Sequence, residues 1–233
     1  MNDVMSTSSG TTQAGPPTSV DESRAASSGD TVGQAMPAGA AAVNSEQATA
    51  TTTYLLVDGE NIDATLGISV LGHRPEPDER PRWERVLDFT TRTFGQPVKA
   101  LFFLNVSNGY VPMTFVQALL AMDYRPVPLA GRSDQKVVDI GIQKMMDVLV
   151  DRPANVMLAS HDGDFLGQTR ALLSPDRRVG LLGLREYVNL GFADLVPSGL
   201  EVYDLEEDVA CFRKPLPRTR IINVDDFDPL RFL

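Results

Sequence analysis

The chain has 233 residues, 42% of them hydrophobic, enough for one sizeable domain with a core of its own. Its formal charge of -10 and pI of about 4.7 weigh against a dedicated non-specific nucleic-acid binder, because lysine and arginine supply that affinity. No apolar run reaches the roughly 18 residues of a membrane span, no basic-then-apolar N-terminus marks a secretory signal, and the single cysteine, Cys211, excludes an intrachain disulfide, so a cytoplasmic protein is expected.

Residues 1–52 are rich in Ser, Thr, Gly, Ala, Pro and Gln and hold no aromatic residue. Such a stretch cannot bury enough apolar surface to offset the entropy of ordering, so it reads as a disordered tail. Composition changes abruptly at Thr53. An apolar strand is expected over 54–57, a short helix over 61–70, and a charged, Pro-rich loop over 72–81. A helix then starts at Pro81, runs through Trp83, Val86 and Leu87, and stops at Gly95. Strand 98–104, helix 113–122 and a short strand 125–129 follow. In 136–150, Val138, Ile142, Met145, Met146 and Leu149 recur at helical spacing. Strand 155–159, helix 165–173, strand 178–184, a short helix 187–195 and an edge strand 200–205 complete the pattern. Strands alternating with helices imply an α/β fold, a mostly parallel central sheet with helices on both faces. The domain is expected over 53–210. A C-terminal extension, 211–233, is basic and Pro-rich before it ends in acids mixed with apolar residues, a composition that could dock a protein partner.

Three acidic segments stand out. Leu55-Leu56-Val57 leads into Asp58-Gly59-Glu60-Asn61, Lys136-Val137-Val138-Asp139 opens a helix, and Val156-Met157-Leu158-Ala159 leads into Ser160-His161-Asp162-Gly163-Asp164-Phe165. In open α/β sheets ligands bind outside the carboxyl ends of strands, so these acids could share one rim. Clustered carboxylates repel one another, and a hard divalent cation, Mg²⁺ or Mn²⁺, is the usual answer; that points to phosphodiester chemistry. Plainer readings stand beside this one. Asp58-Gly59 also suits a strand-ending turn. Asn61 could cap a helix or face a metal or a phosphate. Asp139 in a first helical turn suits the helix dipole, with Lys136 pairing with it or with a phosphate. One of Asp162 and Asp164 suits an N-cap, which leaves the other to be explained. His161 reads as a loop histidine sooner than a ligand or general base, Asp147 as a solvated face, and the cluster Arg74, Arg80, Arg82 and Arg85 around Trp83 as a solvated face balanced by Glu76, Asp78, Glu79 and Glu84 sooner than as a site that holds phosphates and stacks on a base. No phosphate-cradling G-x-x-x-x-G-K-[ST], no G-x-G-x-x-G, no G-x-S-x-G and no zinc-spaced Cys/His cluster is present.

Taken in this order and spacing, the three segments resemble the NYN domain family, the LabA-like branch of the PIN-like nucleases, from about Tyr54 to Leu205. The resemblance implies a parallel α/β sheet and Mg²⁺- or Mn²⁺-dependent endonucleolytic cleavage of single-stranded RNA. It assigns Asp58, Asp139, Asp162 and Asp164 to the metal cluster and Asn61 to orienting water or phosphate, with Lys136 and Ser160 toward the substrate. Many members carry another Asp six residues after the helical one, where this chain has Met145. Two alternatives stay open: an RNA-binding or regulatory module with a degenerate site, and an interaction protein acting through its tails. A homo-oligomer is also left open.

Overall fold

Strands that are apolar on both faces must be covered on both faces, and only a parallel sheet with crossover helices does this routinely. The computed structural model describes residues 52–219, 222 and 224–233. The sequence-expected tail lies outside the described residues except for Thr52, which opens the first strand. Six strands, β1 (Thr52–Asp58), β2 (Val98–Asn105), β3 (Tyr124–Leu129), β4 (Ala154–Ala159), β5 (Val179–Gly183) and β6 (Leu200–Asp204), form one sheet in the order β3-β2-β1-β4-β5-β6. All five pairings are parallel. β4 and β5 are buried at every residue, as central strands of such a sheet must be. β3 carries Pro126 and Pro128, which cannot donate to a ladder, and it lies at an edge.

The helices are α1 (Gly59–Thr65), α2 (Trp83–Phe94), α3 (Met113–Ala121), α4 (Val137–Val150) and α5 (Leu166–Leu172). Side chains alternate across the sheet, so consecutive residues enter different cores. Leu55, Val57, Phe102 and Leu104 pack with Ile62 of α1, Val86 and Phe89 of α2 and Leu119 of α3. Leu56, Leu101 and Phe103 pack with Val138, Ile142, Met146 and Leu149 of α4 and Leu172 of α5. A fully buried Leu or Phe contributes about 1.5–3 kcal/mol. A one-residue slip of β2 would exchange Phe102 and Phe103 between cores, so the register is strongly specified.

Two elements differ from the sequence expectation. The helix expected over 61–70 begins earlier, at Gly59, and widens into a π-helical turn, Leu66–Leu71, before Gly72 ends it at φ 74°. The helix expected over 187–195 is instead two 3-10 segments, Arg185–Tyr187 and Leu190–Ser198. Asn189 interrupts the run: its side chain accepts from Gly191 N and its own N–H donates to His161 O (3.1 Å), so helical bonds give way to a cap. After β6 the chain packs back on the domain. Cys211 and Phe212 enter the first core, and Arg82 N donates to Cys211 O at 2.7 Å. The Arg218 side chain is fully buried against Asp204 (2.6 Å), Glu206 (2.9 Å) and Glu186 (2.5 Å).

Candidate metal centre at the sheet switch point

The strand order reverses between β1 and β4, and a crevice opens there at the carboxyl ends. Asp58 is the last residue of β1 and the N-cap of α1, where its Oδ1 accepts from Asn61 N at 3.1 Å. The cap is therefore Asp58, and Asn61 is freed from the capping role the sequence allowed it. Gly59 follows as the first helical residue and lies against Phe102: a Cβ there would stand 2.4 Å from Phe102 Cζ. On β4 the chain leaves the sheet through Ser160, fully buried, whose hydroxyl donates to Asp58 Oδ2 (3.1 Å) and accepts from Asp162 N (3.2 Å). One serine thus links the two acidic segments across the switch point.

Asp162 caps the 3-10 turn Gly163–Phe165 by accepting from Asp164 N at 2.9 Å. That resolves the two acids: Asp162 is the cap, and Asp164 turns its carboxylate to Lys136, 2.7 Å from Nζ. Asp139, in the first turn of α4, lies 3.3 Å from the same Nζ, and Asp162 lies 3.9 Å from it. Carboxylate oxygens of Asp139, Asp162 and Asp164 fall within 4.8 Å of one another. Asp58 is outside that triple, its two oxygens taken by Asn61 N and Ser160 Oγ, but it lines the same cleft of about 350 Å³ with Asn61, Asn105, Lys136, Asp139 and Asp162. Asp147 is exposed on α4, as its solvated-face reading anticipates, and Met145 is partly buried against the second core.

Electrostatics follow from this geometry. Burial pushes the Asp58 carboxyl up to about 6, with Asp139 and Asp162 adding repulsion and the bonds from Asn61 N and Ser160 opposing. Burial also raises Asp139, against the pull of Lys136. The carboxylates hold the Lys136 ammonium well above its ordinary range, Asp164 foremost. An all-carboxylate oxygen set suits a hard divalent ion, and the Lys136 ammonium among these oxygens marks a place that attracts a cation.

His161 is buried and has no free nitrogen. Nε2 accepts from Leu184 N at 2.7 Å, so Nδ1 carries the proton and faces Asn61 Oδ1 at 3.0 Å. Asn61 Oδ1 also accepts from His161 N at 2.8 Å. Burial lowers the imidazole to about 4, so it stays neutral and ties the ends of β1, β4 and β5 together. His73 is exposed beside Glu79 (3.0 Å). Of the arginine cluster, Arg80 pairs with Asp63, Arg82 with Glu84, and Arg85 donates to Ala210 O, while Trp83 is buried. Glu60 and Asn105, joined by Asn105 N to Glu60 Oε1 at 3.3 Å, also line the cleft. The sequence showed Glu60 only as part of its acidic segment and gave no sign of Asn105, although Asn105 ends an apolar strand just as Asp58 does.

A parallel α/β sheet with an acidic crevice at its switch point defines a domain built like the PIN-type nucleases. The sequence matches the NYN domain family over residues 52–193, and the chain belongs to that family, within the PIN-like nuclease superfamily. A protein of unknown function from Vibrio parahaemolyticus, VPA0982, has a similar crystal structure: TM-score 0.51, 18% identity, covering 68% of this chain and 94% of that one. At that identity the likeness concerns the fold alone. No curated protein matches the chain.

Proposed function

We infer that this protein is a divalent-metal-dependent endoribonuclease that hydrolyses phosphodiester bonds of single-stranded RNA. One observation carries the reading: Asp139, Asp162 and Asp164, from two distant segments, bring carboxylate oxygens within 4.8 Å at the crevice where a third acidic segment places Asp58. In this reading Asp139, Asp162 and Asp164 hold the ion, Mg²⁺ or Mn²⁺, with Asp58 behind them. When bound, such an ion neutralises phosphate charge and lowers the pKa of water. Asp58 supplies negative charge at the cleft wall and, being raised, can hold a proton near neutral pH. Asn61, its carbonyl occupied by His161, offers its amide N–H groups to a phosphate oxygen. Lys136, 64% exposed, is the cation placed to meet the substrate. Ser160 is fully buried, so its part is to position Asp58 and Asp162 rather than to touch RNA. No side-chain nucleophile is required. The free, buried thiol of Cys211 accords with a reducing, cytoplasmic setting, and no helix among the described residues is long and apolar enough to cross a membrane.

The test is single-turnover cleavage of a labelled single-stranded RNA pool with Mn²⁺. Asp162→Asn and Asp139→Asn should each remove most of the rate, and the double variant should lose little more, because ligands of one ion act as a unit. Activity that survives both substitutions, or that ignores chelation, defeats the reading. A second reading, an RNA-binding regulator with a weakened site, is favoured by Met145 standing half-buried in the core where many members have an acid; RNA binding without cleavage under any metal would select it. The exposed Leu230, Phe232 and Leu233 near the C-terminus favour an additional protein-docking role for that segment.

A further inference from the structure

A second cavity, about 600 Å³, lies along α1 and the turn that follows it. That size falls within the roughly 300–1,000 Å³ of small-ligand sites. It is lined by Ala64, Gly67, Ile68, Arg74, Pro75 and Arg80. The floor is tight: a Cβ on Gly67 would stand 2.9 Å from Pro75 Cδ. Ile68 is 82% exposed, an unusual place for a bare isoleucine. Asp63 also faces the cavity and is answered by Arg80, at 2.9 Å. Arg74 makes no hydrogen bond or ion pair with another described residue. Two arginines against one aspartate leave this cavity wall positive on a protein whose formal charge is -10.

The cavity adjoins the carboxylate cleft, with Ala64 lining both. Asn61 in the cleft and Ala64 at the join lie three residues apart on α1, and Ile68 in the cavity follows in the widened turn. At no more than about 1.5 Å per residue, the seven residues from Asn61 to Ile68 span at most roughly 10 Å, a short step for an extended strand.

We propose that this cavity is a subsite for an RNA nucleotide flanking the scissile bond, with Arg74 and Arg80 on its phosphate and Ile68 and Pro75 against its base or ribose. The proposal rests on the ribonuclease reading. The cleft repels a phosphate backbone through Asp58, Asp139 and Asp162, so a strand needs a positive anchor outside it. Arginine offers planar, forked donors for a phosphate, and a base needs an apolar face. Both are present here, next to the cleft, and Arg74 is tied by no ion pair or hydrogen bond, only by a longer-range attraction to Asp63.

The test compares an end-labelled oligouridylate of roughly a dozen nucleotides, within the site sizes of single-strand binders, with a dinucleotide bearing the same label. Binding is read by fluorescence anisotropy in Ca²⁺, with strand integrity checked on gels. Arg74→Glu is expected to weaken the long strand about tenfold and to shrink its advantage over the dinucleotide by a similar factor. Arg74→Lys should keep most of the affinity. Arg74→Ala should flatten the salt dependence by roughly 0.7 in log–log slope, one phosphate contact on a single strand. Arg74→Lys keeps the positive charge near Asp63 and should melt like the parent; melts of Arg74→Ala and Arg74→Glu, which remove it, establish that each is folded at the assay temperature. An unchanged long-strand Kd in Arg74→Glu overturns the subsite. Equal loss for long strand and dinucleotide overturns it too, since it would place Arg74 at the cleft itself. If the parent binds neither probe, the ribonuclease reading fails and the subsite with it; if the parent binds and only the Arg74 effect is missing, the subsite alone fails.

Discussion

Replacing Asp58 with asparagine should make the metal-free protein more stable while removing its activity. Asp58 is 2% exposed and its carboxyl is raised from 3.8 to about 6. A group raised in the fold is costly to ionise there. The cost is fully present above pH 6 and disappears as the pH falls toward 3.8, where the carboxyl is protonated in both states. Roughly two units at about 1.4 kcal/mol each put the cost near 3 kcal/mol at pH 7. Asp58→Asn removes the charge and keeps the shape. Its carbonyl can still accept from Asn61 N, but buried Ser160, which already accepts from Asp162 N, loses the acceptor of its own proton, and that takes back part of the gain. At about 2–4 °C per kcal/mol for a domain of this size, Tm in EDTA at pH 7 should rise, by at most roughly 6–12 °C. The advantage should shrink through pH 6 and vanish near pH 4. Saturating Mg²⁺ or Mn²⁺ should narrow it as well, since an ion at a hundred times its Kd adds about 2.7 kcal/mol to the parent. The assay is a thermal melt of parent and variant across pH, with and without divalent ion. A variant that melts at or below the parent in EDTA at pH 7 refutes the argument that burial strains this carboxylate.

His161 should work in the opposite direction, because its imidazole is lowered from 6.5 to about 4: its stabilisation is complete above pH 6.5 and is lost as the pH falls through 4, about 3 kcal/mol in all. It nearly offsets Asp58 in the parent, so the Asp58→Asn background should show a steeper acid-side decline in denaturant midpoints than the parent, whose lowered Asp204 and Glu201 already contribute one. Arg218→Met should cost about 3–5 kcal/mol by urea unfolding, because it leaves the buried Asp204 carboxylate and the partly buried Glu206 without the cation they share. Gly59→Ala should cost about 1–3 kcal/mol, since Phe102 is held between Trp83 and Phe115 and cannot yield to a new methyl group; RNA cleavage should fall with it as Asp58 and Asn61 shift. Asp147→Asn should leave both melting and cleavage unchanged, its carboxylate being exposed on α4.

Strand-like runs, helical periodicity and the three acidic segments are local patterns, and the chain alone determined them. Residues 55–57 and 156–159 are apolar on both faces, which already demands a covered parallel sheet. Asp58 and Asp162 each follow such a run, which already places them at strand ends. What the one-dimensional order could not contain was the neighbourhood of those ends. β1 and β4 are adjacent only because the chain reverses its direction of sheet growth after β3, and that reversal sets Ser160 between Asp58 and Asp162. Burial is likewise a property of the assembled sheet. It makes His161 a neutral tie between strand ends rather than a candidate base, and it raises Asp58 while Asp147, the same residue type, stays in solvent. The widened turn after α1 and the cavity it borders arise from packing Gly67 against Pro75, a contact with no sequence period. Local propensity acts over a few residues and can be read along the chain, whereas desolvation and charge coupling depend on groups about a hundred residues apart, and only the folded backbone brings those together.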